Sequence, residues 1–321
     1  MKLIKGYKGF DKNMQCRGMQ FEVGKEYEVK GKIEVCKTGI HYCENPLDVL
    51  DYYDLCDSNF GVIEDCGDTK KESDKNATNK IKIKEKLDLK GFINASFEFL
   101  WKKCNFEKKE TSEYSKAAMN GEYSKAAMSG DCSQAAMSGD CSQASMSGEY
   151  SQVAMSGEYS QASMSGDNSQ VAISGNDSKV AISGNGSKVA MSGDYSKAAM
   201  SGHCSQAAMS GDCSQAAMSG EYSQASMSGD YSKASMSGDN SQAAMSGHYS
   251  KIESEGKNCI LANIGISGKI KGKKGDWITL AEYNKHNECV CVKSKKIDGK
   301  KIKENKWYKL ENEQFIECEV L

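Results

Sequence analysis

Between Glu113 and Gly256 the apolar residues fall on a nine-residue beat. Sixteen nonapeptides, 144 residues in all, run without insertion or deletion from EYSKAAMNG through DCSQAAMSG to HYSKIESEG. Position 5 is Ala or Val, with Ile252 in the last unit, and position 7 is Met or Ile until Ser254. Apolar residues two apart have the period of a strand. Position 3 is always Ser and position 9 always Gly. Ser-Gly followed by Asp, Glu, Asn or His is turn chemistry. Each unit therefore predicts one short strand and one corner, and their unbroken repetition predicts a β-solenoid.

Position 2 sets the size of the coil. It reads Tyr114, Tyr123, Cys132, Cys141, Tyr150, Tyr159, and later Cys204, Cys213, Tyr222, Tyr231. Identities come in consecutive pairs, so the natural unit is eighteen residues, with two equivalent strands facing across a thin core. A nine-residue coil is too tight to enclose a side chain. Eight layers at about 4.8 Å give a rod of roughly 38 Å. Met suits so narrow a core, and the fixed Ser is expected to bond the corner backbone. Glu253, Ser254 and Glu255 in the last unit predict a polar end to the stack.

The flanks do not repeat. Residues 1–112 predict an α+β domain. KEYEVKGKIEVC reads as a hairpin around Lys30-Gly31, and Asn45-Pro46 starts a helix with Asn as cap and Pro next. Leu47, Leu50 and Leu55 share one face of that segment, KIKIKEKLDL alternates like a strand, and INASFEFLWKKC predicts a second helix. Residues 257–321 predict a small β cap domain, with strands in WITLAEYN, ECVCVKSKKI and KWYKLENEQFIECEV and a turn at Asp298-Gly299. The fold class is mainly β: an α+β domain, a solenoid over 113–256, and a β cap.

Charge changes the picture because it is uneven. Residues 1–112 carry a net +1, the array −8 from 7 Lys against 15 Asp+Glu, and the tail +5. An acidic rod is a poor ligand for nucleic acid. Fourteen Cys without an apolar leader favour a reduced, cytoplasmic setting, with Cys used as a small hydrophobe. No apolar run reaches the length of a membrane span.

The candidate binding surface follows from the outward positions 2, 4, 6 and 8. It is a flat face of small side chains edged by Tyr114, Tyr123, Tyr150, Tyr159, Tyr195, Tyr222 and Tyr231, with an acidic row from Glu113, Glu122, Asp131, Asp140, Glu149 and Glu158. Exposed aromatic rows mark interfaces. The acidic row alternatively imitates a phosphate backbone, or simply solvates the turns. One Gly per unit and no second acidic ligand in register argue against calcium. Cys36, His41 and Cys43 lack the C-x2-C pairs and a fourth ligand for structural zinc. No catalytic, cofactor or metal residue is assigned.

YKGFDKNMQCRGMQFEVGKEYEV followed by CKTGIHYCENPLDVLDYY resembles an uncharacterised domain at the start of phage and prophage proteins. Several of these also carry S-K-A-A-x-S-G nonapeptides and a tail like GDWITLAEYN…WYKLENEQFIE, so the resemblance spans essentially the whole chain. It implies a mobile-element origin and brings no catalytic residues. GIHYCENPLDVLDYY is also similar to the strand–helix step of ADP-ribosyltransferase domains, with Arg17-Gly18 near their Arg-Gly position. That family's Ser-Thr-Ser is missing, and Glu26-Tyr-Glu28 comes too early for its Glu-x-Glu. NCILANIGISGKIKGKKGDW resembles the last coils of trimeric autotransporter adhesin heads, which implies trimerisation. The expected function is a non-enzymatic phage-type accessory protein. It is expected to bind a host-derived protein partner, such as a defence factor, through the rod, and to self-associate as a dimer or trimer. The alternatives are an ADP-ribosyltransferase-like or NAD-cleaving domain on a rod, a virion or assembly scaffold, and an acidic DNA-mimic rod.

Overall fold

The computed structural model describes residues 4–35, 37–71, 74–104 and 114–319. The chain divides into two compact units, Met1–Lys102 and Lys103–Leu321.

The first unit is built on a four-stranded antiparallel sheet in the order Ile4–Phe10, Asn59–Asp65, Lys80–Leu87, Glu26–Glu28. A three-stranded sheet holds Ile40–Tyr42, Asn76–Thr78 and Thr69–Lys71. Alternation in KIKIKEKL sends Ile81, Ile83 and Leu87 inward, where the two isoleucines join Phe10, Ile40, Tyr42 and Ile63 in the core. Asn45 caps as expected, its side chain accepting the Leu47 N–H at 3.2 Å. The element it starts is a short 3-10 helix, Pro46–Asp51, that buries Leu47 and Leu50. The α-helix Leu89–Cys104 ends the unit.

The expected hairpin around Lys30-Gly31 does not form. Glu26–Glu28 pairs instead with Lys80–Leu87, setting Tyr27 opposite Ile81. Beyond it there is only an isolated bridge between Glu34 and Thr38. A core-facing partner strand with buried isoleucines outcompetes a local Lys-Gly turn.

The second unit is the solenoid. Through the nonapeptides residue i pairs with residue i+18, as in Ala135 with Val153 and Met137 with Met155. Odd units form one parallel sheet and even units another. Ala or Val at position 5 and Met or Ile at position 7 from both sheets fill the space between them. A fully buried methionine contributes about 1.5–3 kcal/mol. Eight layers come from the nonapeptides. The parallel ladder then continues through Ile260–Asn263, Lys269–Lys271 and Trp277–Tyr283, giving about nine turns.

Ser254 therefore lies inside the stack, in register with Met236. It marks a change of core rather than an end. Past it, Leu261, Ile270, Ile278 and Leu280 fill the interior. Buried Asp276 accepts N–H bonds from Cys259 at 2.9 Å and Lys273 at 2.8 Å. Growth of the sheets stops where direction reverses. Cys289–Lys296 lies antiparallel on Trp277–Tyr283, and Trp307–Glu311 lies antiparallel on Lys269–Lys271, followed by Gln314–Cys318. The lysines of CVCVKSKK blunt the outer edge against further pairing.

The corners explain the two fixed positions. A Cβ built on Gly184 would lie 2.0 Å from the carbonyl oxygen of Gly166, one layer away. Position 9 must be glycine because successive corners touch backbone to backbone. Ser133 Oγ donates to the Gly130 carbonyl at 2.6 Å, and Ser142 repeats the bond to Gly139 at 2.6 Å. That bond satisfies a buried hydroxyl and ties the corner at once.

Candidate functional site

Position 2 adopts the left-handed conformation in every described unit, from φ 53° at Asp177 to φ 70° at Tyr114. Such a conformation costs roughly 1–2 kcal/mol for a residue with a Cβ. Gly186, Asn168 and Asn240 occupy the same place, and these are residue types that adopt it readily. Tyrosine has no such excuse. Yet Tyr114, Tyr123, Tyr150, Tyr159, Tyr195, Tyr222, Tyr231 and Tyr249 all stand there, between 50 % and 68 % exposed. Tyr231 and Tyr249 stack with ring centroids 5.1 Å apart.

Position 1 divides by side-chain length. Asp131 Oδ1 accepts the Glu149 N–H and Asp140 Oδ1 accepts the Glu158 N–H, each at 2.9 Å. Asp167, Asn185, Asp212 and Asp230 do the same one layer on, and His203 and His248 substitute with Nδ1. Glu carries one methylene more and makes no such bond. Among the described residues the carboxylates of Glu122, Glu149, Glu158 and Glu221 are exposed and make no hydrogen bond or ion pair. Each of these four is followed by Tyr. Glu113 lies outside the described residues. Part of the acidic row is thus corner structure, and the Glu-Tyr corners leave both groups free.

Between the corners of the first sheet runs a flat strip. Ala136, Ala154, Ala172, Ala190 and Ala208 stand exposed in one row, with Ser138, Ser156 and Ser174 beside it.

The first unit carries a different kind of site, a recess of about 650 Å³ that the sequence did not announce. Its floor holds Lys8, which is buried. Lys8 Nζ donates to the His41 carbonyl at 3.0 Å, to Cys16 Sγ at 3.4 Å and to the Tyr53 hydroxyl at 3.4 Å. Cys16 Sγ and the Tyr53 hydroxyl lie 3.1 Å apart. Burial lowers the Lys8 amine from its ordinary value, against the opposing effect of Cys16. Burial, then Arg17, Lys8 and Lys75, hold His41 at about 4. Perturbed groups converging in a cleft mark a functional site.

Arg17-Gly18 is the two-residue turn between Gln15–Cys16 and Met19–Gln20, with φ of 48° and 75°. Positive φ at both central residues is the hairpin turn that matches strand twist. It sets the exposed guanidinium at the mouth of the recess. Arg17 and His41, separated in sequence, thus line one cavity, together with Cys43, Tyr42 and Tyr52. Of the three residues weighed for zinc, Cys36 lies outside the described residues and Cys43 is buried. Among the described residues no three His, Cys, Asp or Glu side chains group to hold a metal. No described helix is long and apolar enough to cross a membrane.

These features define a β-solenoid protein with an N-terminal α+β unit. Residues 4–95 match a family model described as a domain of unknown function, DUF7666. Every residue lining the recess, from Tyr7 to Lys75, falls within that match. Comparison with curated proteins and with solved structures gave no match.

Proposed function

We propose that the chain is a non-enzymatic binding protein whose rod engages a protein partner through the Glu-Tyr corners. One observation carries this reading: exposed tyrosines persist at corners whose backbone favours Gly or Asn. Strain retained at Tyr123, Tyr150, Tyr159 and Tyr222, whose exposed side chains make no hydrogen bond among the described residues, points to a contact outside the fold. The free carboxylates beside Tyr123, Tyr150, Tyr159 and Tyr222, on a rod of net charge −8, suit a partner with a basic surface. The phage-type resemblance makes a host protein, such as a defence factor, the partner class. Repetition along the rod adds avidity to contacts that are individually weak.

The test uses glycine, because glycine fits the corner. The full chain and a Tyr123→Gly, Tyr150→Gly, Tyr159→Gly, Tyr222→Gly variant are immobilised and exposed to host lysate. A basic protein retained by the first and lost from the second is expected. Equal retention by a folded variant would remove the tyrosines from the interface.

The alanine strip favours a second use of the same rod, pairing with another copy. Small side chains let two sheets approach closely. Sedimentation is expected to show a dimer or trimer that Ser156→Arg with Ser174→Arg dissociates; a strict monomer at tens of micromolar would sink this use.

A further inference from the structure

We propose that the recess of the N-terminal unit binds a small organic anion that carries an aromatic ring, of the nucleoside monophosphate class. The cavity falls within the usual range for small-molecule sites, roughly 300–1,000 Å³, at about 650 Å³.

The charge balance is incomplete. Lys8 is buried, yet its three acceptors are a carbonyl, a thiol and a phenol. Neither Lys8 nor Arg17 has a carboxylate partner among the described residues; Arg17 reaches only the Lys37 carbonyl, at 3.4 Å. A buried cation without an anion is costly, and a bound anion supplies what is missing. The recess also contains Asp11, Asp54 and Asp57, but these are occupied. Asp11 accepts the N–H groups of Asn13 and Gln15, Asp54 those of Cys56 and Asp57, and Asp57 pairs with Lys12.

The walls supply the second half of the specificity. Phe21, Tyr52 and Tyr53 line the same cavity. Lys8 Nζ stands 5.8 Å from the ring centroids of both Phe21 and Tyr53. The exposed ring of Tyr52 offers a planar ring a place to stack while its phosphate meets Lys8 and Arg17. An anion held there also favours the charged forms of Lys8 and His41, which burial disfavours.

The recess and the corner tyrosines share no residue, so neither reading depends on the other. The full chain is titrated calorimetrically with AMP, adenosine and inorganic phosphate in separate runs. Saturable AMP binding is expected, tighter than either half alone. Arg17→Ala removes an exposed side chain with one long hydrogen bond, so it is expected to fold normally and to weaken AMP by about tenfold or more. Lys8→Met is expected to weaken it further, with circular dichroism confirming that this variant is folded. No AMP binding up to about 1 mM, phosphate binding as tightly as AMP, or an unaltered affinity in Arg17→Ala would each overturn the assignment.

Discussion

In the N-terminal recess each functional side chain occurs once, and five separate segments of chain must meet to assemble them. On the rod the same corner recurs sixteen times and needs only its own neighbours. The first arrangement concentrates its chemistry, so one substitution decides the outcome. The second dilutes it, because each layer contacts only the next and energy adds layer by layer. Backbone defects invert this rule: a clash between layers interrupts the rod, whereas an open turn in the first unit tolerates change.

That inversion gives the largest expected effect. Gly184→Ala places a methyl group 2.0 Å from the Gly166 oxygen and is expected to cost about 3 kcal/mol. Gly18→Ala has nothing within 4 Å of its Cβ and a φ of 75°, so it is expected to cost about 1 kcal/mol. Denaturant unfolding of the two variants compares them directly; equal losses would show that the layers yield at the corner.

Acid separates the regions in a second way. His41 is held near 4, below its ordinary 6.5. As pH falls, the unfolded chain binds this proton before the folded one does. The stability of the first unit is therefore full above about pH 6.5 and declines as pH falls toward 4, where both states are protonated. The hydrogen-exchange protection of the Asn59–Asp65 and Lys80–Leu87 strands, corrected for the intrinsic pH dependence of amide exchange, is expected to fall over that window, and His41→Gln to flatten the response. An unchanged slope in His41→Gln would assign it to other groups.

Smaller effects probe the corner. Glu158→Asp is expected to gain a bond to the Asn176 N–H and to stabilise the rod by about 1 kcal/mol. Tyr150→Gly relieves left-handed strain but loosens the unfolded chain, leaving a net change of about 1 kcal/mol or less. A large loss from Tyr150→Gly would mean that the tyrosine supports the fold and not a partner. The smallest expected effect is zero: incubation with NAD and lysate is expected to release no nicotinamide. Release abolished by Arg17→Ala would instead make the recess a site of catalysis.

The rod was legible because its information is local and redundant. Paired identities at Tyr114 and Tyr123, then Cys132 and Cys141, reveal an eighteen-residue coil before any coordinate is known. Gly184 was legible only as a turn residue, since the atom that forbids a Cβ sits eighteen residues away. The split between Asp131 and Glu149 was available in the sequence, where Glu at position 1 is always followed by Tyr, but its cause is a bond between layers. The recess gave no such signal. Lys8, Cys16, His41 and Tyr53 share no period, and only the packing of strand, hairpin and 3-10 helix brings them together. Lys30-Gly31 misled because a good turn dipeptide says nothing about a better partner farther along, here the strand containing Ile81.

The i to i+18 register has a consequence for how such a gene changes length. Recombination between near-identical repeats adds or deletes whole nonapeptides. A gain or loss of eighteen residues removes or inserts one layer and leaves every later strand in its own sheet. A gain or loss of nine sends each later strand to the opposite sheet, and the reversed strands Cys289–Lys296 and Trp307–Glu311 move with their partners Trp277–Tyr283 and Lys269–Lys271. Only length variants that differ by even numbers of repeats therefore keep each row of corners on its own side of the rod, a parity rule written by the sheets onto the DNA.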